Sequence, residues 1–355
     1  MIIAQDEAYH PCDSRDPLWR ESHYFNFYDP RHQIGAITTI GRKPNQGHTE
    51  GVLVLYLPDG SLLVHKREVP ISKELPTRGA HPVAQKSPPL PPQSWGEPTA
   101  SHSPRLGGRG AFMDEIAAGA LRYEMTEPLV DWRLTFDGTA LRVTEPRKLA
   151  SRWTQLKALF RRQHVRLDLR WHGLNPIFDY ADHAEEIPDN RVAARHYEQT
   201  GRYTGRLEID GQRLEVDALG QRDHSWGIRD WHAPDKWRWF TAQFGPDLAI
   251  HGSRLVLGDL QGELGFVWRD GVNHVVRRLD IDTEYEADGV TQRRVRLRLH
   301  EDGGRVTEAV AEVITPAAIA FRDKAGLTII TEALSRFTCG ERAGYGIAEY
   351  LRQVR

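Results

Sequence analysis

Between Gly220 and Phe240 the chain reads GQRDHSWGIRDWHAPDKWRWF, which sets Asp223, His224 and Asp230 among Trp226, Trp231, Trp237 and Trp239. A carboxylic acid beside apolar rings loses the solvation of its charged form, so its pKa rises and it can donate a proton near neutral pH. Indole faces also attract cations through their quadrupoles. An acid set in a dry aromatic wall suits protonation of an alkene and steering of the carbocation that follows. The same wall could fold a polyene or steroid into a reactive shape without proton transfer. Asp223 and Asp230 are therefore the candidate acids, with His224 as a candidate acid–base group. Tyr203, in the upstream segment RHYEQTGRYTG, is a candidate assistant, and Tyr197, Trp226, Arg229, Trp231 and Trp237 are candidate pocket walls. Each has a structural alternative. Asp223 can pair with Arg222 or Arg229 or cap a turn, Arg229 and Asp230 can form a local ion pair, His224 can be a hydrogen-bonded strand residue, and the indoles can be core.

Other chemistries find no support. The sequence holds no HExxH, CxxC or GxSxG, and its 16 histidines are scattered. No metal, redox group or other cofactor is expected. The two cysteines, Cys12 and Cys339, cannot build a disulfide framework and fit a reducing cytoplasm. A net charge of −2 is not the footprint of a nucleic-acid binder. No apolar run approaches the roughly 18 residues of a membrane span, and MIIAQDEAYHPCD lacks the apolar stretch of a secretion signal. The expected partner is a hydrophobic small molecule.

The elements that must position these groups read as strands. Asp-Gly recurs at Asp59–Gly60, Asp137–Gly138, Asp210–Gly211, Asp270–Gly271, Asp288–Gly289 and Asp302–Gly303, between β-rich arms. Two-residue hairpin turns need positive φ, which glycine adopts freely and aspartate tolerates. Consecutive antiparallel hairpins follow, and such a meander hides its edges best by closing. Arg293, Arg294, Arg296, Arg298 and His300 alternate with apolar residues and form a solvated strand face. A helix is expected over Pro146–Arg162, where Leu149, Trp153, Leu156 and Phe160 share one face and arginines and lysines the other. It would pack on one end of a barrel or between the halves, or alternatively meet a membrane surface or an acidic partner. A long Pro-rich loop is expected over about 68–110. The expected organisation is an N-terminal extension (1–20), one barrel-like half over 21–185 and a second over 195–355.

The run HYEQTGRYTGRLEIDGQRLEVDALGQRDHSWGIRDW (His196–Trp231), above all G-x-R-D-x-S-W-G-x-R-D-W at Gly220–Trp231, resembles the hydroxyneurosporene synthase (carotenoid 1,2-hydratase)-like and AttH-like superfamily. GYGIAEYL at Gly344–Leu351 resembles its closing strand. The resemblance implies an all-β chain of two lipocalin-like antiparallel barrels in tandem, with an apolar ligand near their interface or in one barrel. It implies a lyase or isomerase without cofactor, with Asp223 or Asp230 as the acid. A non-catalytic carrier of apolar ligands would use the same hollow.

Overall fold

The computed structural model describes residues 1–12, 14–71, 115–147, 161–183, 192–322 and 326–354. The first sheet holds β1 (Trp19–Asp29), β2 (Ile34–Lys43), β3 (His48–Tyr56), β4 (Leu62–Pro70), β5 (Glu115–Ala118), β6 (Leu121–Glu127), β7 (Asp131–Val143), β8 (Arg161–Gly173), the short β9 (Phe178–Asp179), β10 (Arg195–Ile209) and β11 (Gln212–Ile228). Its order is β4-β3-β2-β1-β11-β10-β8-β7-β6-β5, and β4 returns to pair with β7 from Leu62↔Val143 to Val64↔Leu141. That pairing bends the sheet into a ring. The second sheet is a closed antiparallel barrel of β12 (Lys236–Gly245), β13 (Leu248–Leu257), β14 (Leu260–Arg269), β15 (Val272–Tyr285), β16 (Gln292–Glu301), β17 (Val306–Arg322), β18 (Leu327–Cys339) and β19 (Arg342–Val354). The all-β, antiparallel, barrel-type fold expected from the hairpin signals is what the chain adopts.

Alternation explains the layers. In β8, Val165, Leu167, Leu169 and Trp171 are buried while Arg166, Asp168, Arg170 and His172 are exposed. The inward residues of the first ring, among them Phe25, Leu53, Trp132, Trp171 and Tyr203, fill it with side chains. The second barrel is filled around Phe240, Val267 and Phe337, while Phe266, on the opposite face of β14, packs on Phe178 of β9. A third apolar cluster joins the outer face of β1–β4 to β12, β18 and β19 through Tyr28, Ile37, Val54, Trp237, Trp239, Ile330 and Leu351. The hollow therefore forms between the two sheets, where two convex outer faces meet imperfectly.

Several expectations change. At Asp210–Gly211 and Asp270–Gly271 both residues take positive φ, as a type I′ hairpin requires. Asp137–Gly138, by contrast, lies inside the unbroken β7. Asp137 pairs with Arg166 and His164 on β8, so its carboxylate serves the sheet face instead of a turn. Of the expected helix, residues 148–160 lie outside the described residues, and Arg161 and Arg162 open β8. Of the Pro-rich segment, Glu68–Pro70 end β4, and 72–114 lie outside the described residues. The change of sheet falls between Ile228 and Lys236. Residues 186–194, between the two expected halves, precede β10 and β11, two further strands of the first sheet. Arg293, Arg296 and Arg298 are exposed and ion-paired, as a solvated strand face should be. Among the described residues no helix is long and apolar enough to cross a membrane.

Candidate active site between the barrels

The strand β11 decides which groups meet. Successive side chains of a strand point to opposite faces. Gln221, Asp223 and Ser225 face the second barrel, whereas Arg222, His224 and Trp226 face the interior of the first. On β1, Arg20, Ser22 and Tyr24 share the outer face with Asp223. Between the sheets lies a cavity of about 100 Å³, walled by Trp231, Trp237 and Trp239, by Ile37, Val52, Ile319, Phe321 and Ile330, and by a set of charged groups. A more open groove of about 870 Å³ adjoins it, and His196 and Trp237 line both. The inner cavity is smaller than the roughly 300–1,000 Å³ of usual ligand sites. It suits the reacting end of a molecule whose remainder lies in the groove.

Asp223 lines this cavity, and burial pushes its pKa up to about 7. His196 and Arg229 oppose that rise, and Glu198 adds to it. His196 Nε2 lies 2.9 Å from Glu198 Oε1, and burial pushes the imidazole down to about 4, so it is neutral at pH 7. Glu198 accepts from Trp239 Nε1 at 2.8 Å and Gln221 Nε2 at 2.6 Å. Burial still raises its pKa against the pull of His251. Across the cavity, Glu332 on β18 lies directly opposite Glu349 on β19, flanked by the pairs Ile330↔Leu351 and Leu334↔Ile347. Burial raises both carboxyls, Glu332 to about 7 and Glu349 well above its usual range, with the two groups sharing a hydrogen bond. Tyr24 donates to Glu332 Oε2 at 3.3 Å. Two buried carboxyls side by side cannot both ionise, so the pair retains a proton.

Positive groups line the same space. Arg229 donates to Ser225 Oγ at 2.7 Å, and its guanidinium sits 5.2 Å from the Trp231 ring and 5.5 Å from the Trp237 ring. Burial, aided by Arg20, lowers its pKa to about 10. Burial works against the charge of Glu50, but Arg20, Lys43 and Lys66 outweigh it and hold its pKa at about 2.

Of the residues singled out in the sequence, Asp223, Arg229, Trp231 and Trp237 line the cavity. His224, Tyr197, Trp226 and Tyr203 sit on the other side of their strands. His224 Nδ1 is 2.9 Å from Tyr197 Oη, its Nε2 is 3.0 Å from Glu21 Oε1, and its ring stacks on His23 at 3.8 Å. Trp226 stacks on His10 at 3.8 Å. Tyr203 donates to the Gln221 carbonyl at 3.1 Å inside the first ring. Arg222 does not meet Asp223. It is wholly buried and binds Glu7 of the N-terminal 3₁₀ turn at 2.9 Å, beside Trp171. Asp230 accepts from the His232 amide at 2.9 Å and shapes the connection to β12. Glu198 lies in the polar segment RHYEQTGRYTG and Tyr24 in the aromatic run HYFNFYD, expected as first-strand core, whereas Glu332, Glu349 and Arg20 were not singled out as site residues. Their signal was a polar side chain on the apolar face of an alternating strand, most plainly in the repeated pattern I-x-E-x-L at Ile330–Leu334 and Ile347–Leu351. Two triplets, His10–Glu21–His224 and His196–Glu198–Asp223, bring possible metal-ligand atoms within 4.8 Å of one another. In the first, the Glu21 carboxylate already meets both imidazoles by hydrogen bonds.

The fold and site define a class: a two-sheet, barrel-type β protein whose buried acids and indoles wall a cavity between its halves. The chain belongs to the family described as "Domain of unknown function (DUF7064)", whose model matches residues 4–86 and 109–354. No curated protein matches it in sequence. Among solved structures, it is similar to an AttH-like protein of Nitrosomonas europaea, with a TM-score of 0.62 at 14% identity over 100% of this chain and 97% of that one. It is similar to CghA, solved with Sch210972, with a TM-score of 0.58 at 14% identity over 94% and 88%. It is also similar to kievitone hydratase of Nectria haematococca, with a TM-score of 0.50 at 10% identity over 94% and 88%. At these identities the likeness is one of fold. It agrees with the superfamily resemblance carried by Gly220–Trp231.

Proposed function

We propose that the chain is an enzyme acting without a redox cofactor on a hydrophobic small molecule of isoprenoid, steroid-like or polyketide-like skeleton. The reaction is acid-assisted hydration or elimination, or the related isomerisation or cyclisation, and Asp223 is the acid. The observation that carries this is a carboxyl with a pKa of about 7 that faces a cavity walled by Trp231, Trp237 and Trp239. A group titrating near the working pH combines a large protonated fraction with a useful proton-transfer driving force. In the hydration direction the Asp223 proton goes to an alkene carbon, the π electrons form the new C–H bond, and water adds to the resulting cation. The added water gives its extra proton to the Asp223 carboxylate or to neutral His196. Elimination is the reverse. The indole faces stabilise the cation. Fold likeness to a protein named kievitone hydratase supports this class of chemistry.

The test compares wild type with Asp223→Asn after incubation with a lipophilic extract of the source cells, read by native and untargeted mass spectrometry. The wild type is expected to transform a compound, by a mass change of one water or by isomerisation, that Asp223→Asn binds unchanged. Equal conversion by both proteins removes the acid role. Identical bound compounds with no conversion by either make the chain a carrier.

A further inference from the structure

We propose that the substrate carries an ionised oxygen, a carboxylate or an equally acidic enol, which Arg20 and Arg229 hold beside Trp231. This rests on the cavity being a substrate site and adds the charge of what enters it.

Beside Trp231 the cavity wall holds buried hydrogen-bond donors that lack partners, although carboxyl groups line other parts of it. Arg20 is 7% exposed, and its Nε and Nη1 are buried without a hydrogen-bond partner. Its counter-ion, Glu50, stands 3.6 Å from Nη1 and is shared with Lys43 at 3.5 Å and Lys66 at 3.1 Å. A single carboxylate therefore serves three cations. Arg229 is 8% exposed and spends one donor on the neutral Ser225 hydroxyl. Trp237 Nε1, on the same cavity, is also buried and unpartnered. The two guanidinium carbons lie 5.8 and 5.2 Å from the centroid of the Trp231 ring, so both can serve one group seated against that indole. Buried donors left unpaired are costly, and a planar guanidinium matches two acceptor oxygens of one anion.

The other acids of the cavity do not remove this excess. Burial favours the neutral forms of Asp223, Glu332 and Glu349, which makes them proton donors more than counter-charges. A cationic ligand would meet Arg20, Arg229 and Lys66, whereas an anion relieves their mutual repulsion. The backbone is shaped for this arrangement. A Cβ on Gly41 of β2 would lie 2.4 Å from Arg20 Nη2, so the bare strand provides the space that the guanidinium occupies. An anion anchored at the arginines leaves the rest of the molecule to face the indoles and the neutral acids, and to extend past His196 and Trp237 into the groove.

The probes are matched pairs: 4-phenylbutyrate with 4-phenylbutan-1-ol, and dodecanoate with dodecan-1-ol. Binding is read by indole fluorescence and calorimetry at pH 6, where Asp223 and Glu332, each raised to about 7, are mostly neutral and the carboxylate probes are mostly ionised. Each carboxylate is expected to bind at least tenfold more tightly than its alcohol. Arg20→Gln and Arg229→Gln should each weaken the carboxylate at least tenfold and leave the alcohol within threefold. Gly41→Ala, which crowds Arg20 without removing it, and Lys66→Gln, at a half-exposed side chain, should each weaken the carboxylate several-fold. These two carry the test should an arginine variant fail to unfold cooperatively. Equal binding of acid and alcohol, or carboxylate binding indifferent to these changes, overturns the anion site and leaves the cavity reading standing. Binding of neither member of both pairs overturns the two together.

Discussion

Asp223 and His224 are consecutive residues whose side chains lie on opposite sides of the same sheet. Asp223 faces the cavity between the barrels, and His224 is buried in the first ring between His23, Tyr197 and Glu21. Substitutions at the two positions should therefore separate cleanly. Asp223→Asn is expected to leave a folded protein without turnover. His224→Gln breaks a buried network, a change that typically costs about 2–5 kcal/mol. It should lower the unfolding temperature while the folded fraction keeps its rate. Turnover normalised to folded protein by circular dichroism checks this. Loss of turnover in a fully folded His224→Gln would show that the first ring holds the chemistry.

The rate should depend on pH through the protonated form of Asp223. With its pKa raised to about 7, kcat/KM is expected to be flat below about 6 and to show an alkaline limb that falls about tenfold per unit above about 8. His196, lowered to about 4, remains a neutral acceptor across that range. Asp223→Glu should keep a descending limb with a displaced midpoint, and Asp223→Asn should abolish it. A pH–rate profile that rises through 7 would assign the working form of Asp223 to the carboxylate, as a base.

The hairpins at Asp210–Gly211 and Asp270–Gly271 were legible because a local dipeptide sets the local turn. Asp137–Gly138 has the same letters and stays extended, because continuous pairing with β8 and the ion pairs of Asp137 across the strands override the local turn preference. Asp223, Arg229, Trp231 and Trp237 were legible as a cluster, since they lie within one short segment. What could not be read was which face of β11 met the second barrel. Strand period two divides DHSW into two sets, but only the inter-barrel packing assigns a set to the cavity. Glu332 and Glu349 were hidden for a different reason. Each is alone in its strand, and their meeting depends on the β18–β19 register.

That meeting gives a spectroscopic prediction. The charge of Asp223 helps to raise both Glu332 and Glu349. In Asp223→Asn the ionised forms of the pair lose a repulsive neighbour, so the midpoint near 7 for Glu332 should move down by on the order of one unit. Carboxyl ¹³C shifts of labelled glutamate follow it directly. Glu349→Gln, which keeps a donor opposite Glu332, should preserve one raised midpoint, and Glu332→Gln with Glu349→Gln should leave none in this region. An unmoved midpoint in Asp223→Asn would mean that the two acid groups do not communicate across the cavity.

The same raised carboxyls should make the wild type less stable in alkali, with a definite sign. An unfolded aspartate titrates near 3.8, and folded Asp223 near 7. Below the unfolded value both states are protonated, and the group carries no penalty. Between the two values the folded state holds a proton that the unfolded state has released, so stability falls by about 1.4 kcal/mol per pH unit for this group. Above about 7 the loss is complete, at up to about 4 kcal/mol, less whatever water in the cavity recovers. Glu332 adds a loss of the same sign between its usual value of 4.5 and about 7. Asparagine at 223 cannot ionise and escapes the penalty. Asp223→Asn should therefore unfold at about the wild-type temperature at pH 4.5 and several degrees above it at pH 8, while losing turnover at both. Denaturant unfolding of the two proteins at these pH values measures the difference. A variant less stable than wild type at pH 8 would mean that the Asp223 carboxylate is held as an ion in the folded state, by Arg229 or Arg20, and is not the neutral acid proposed.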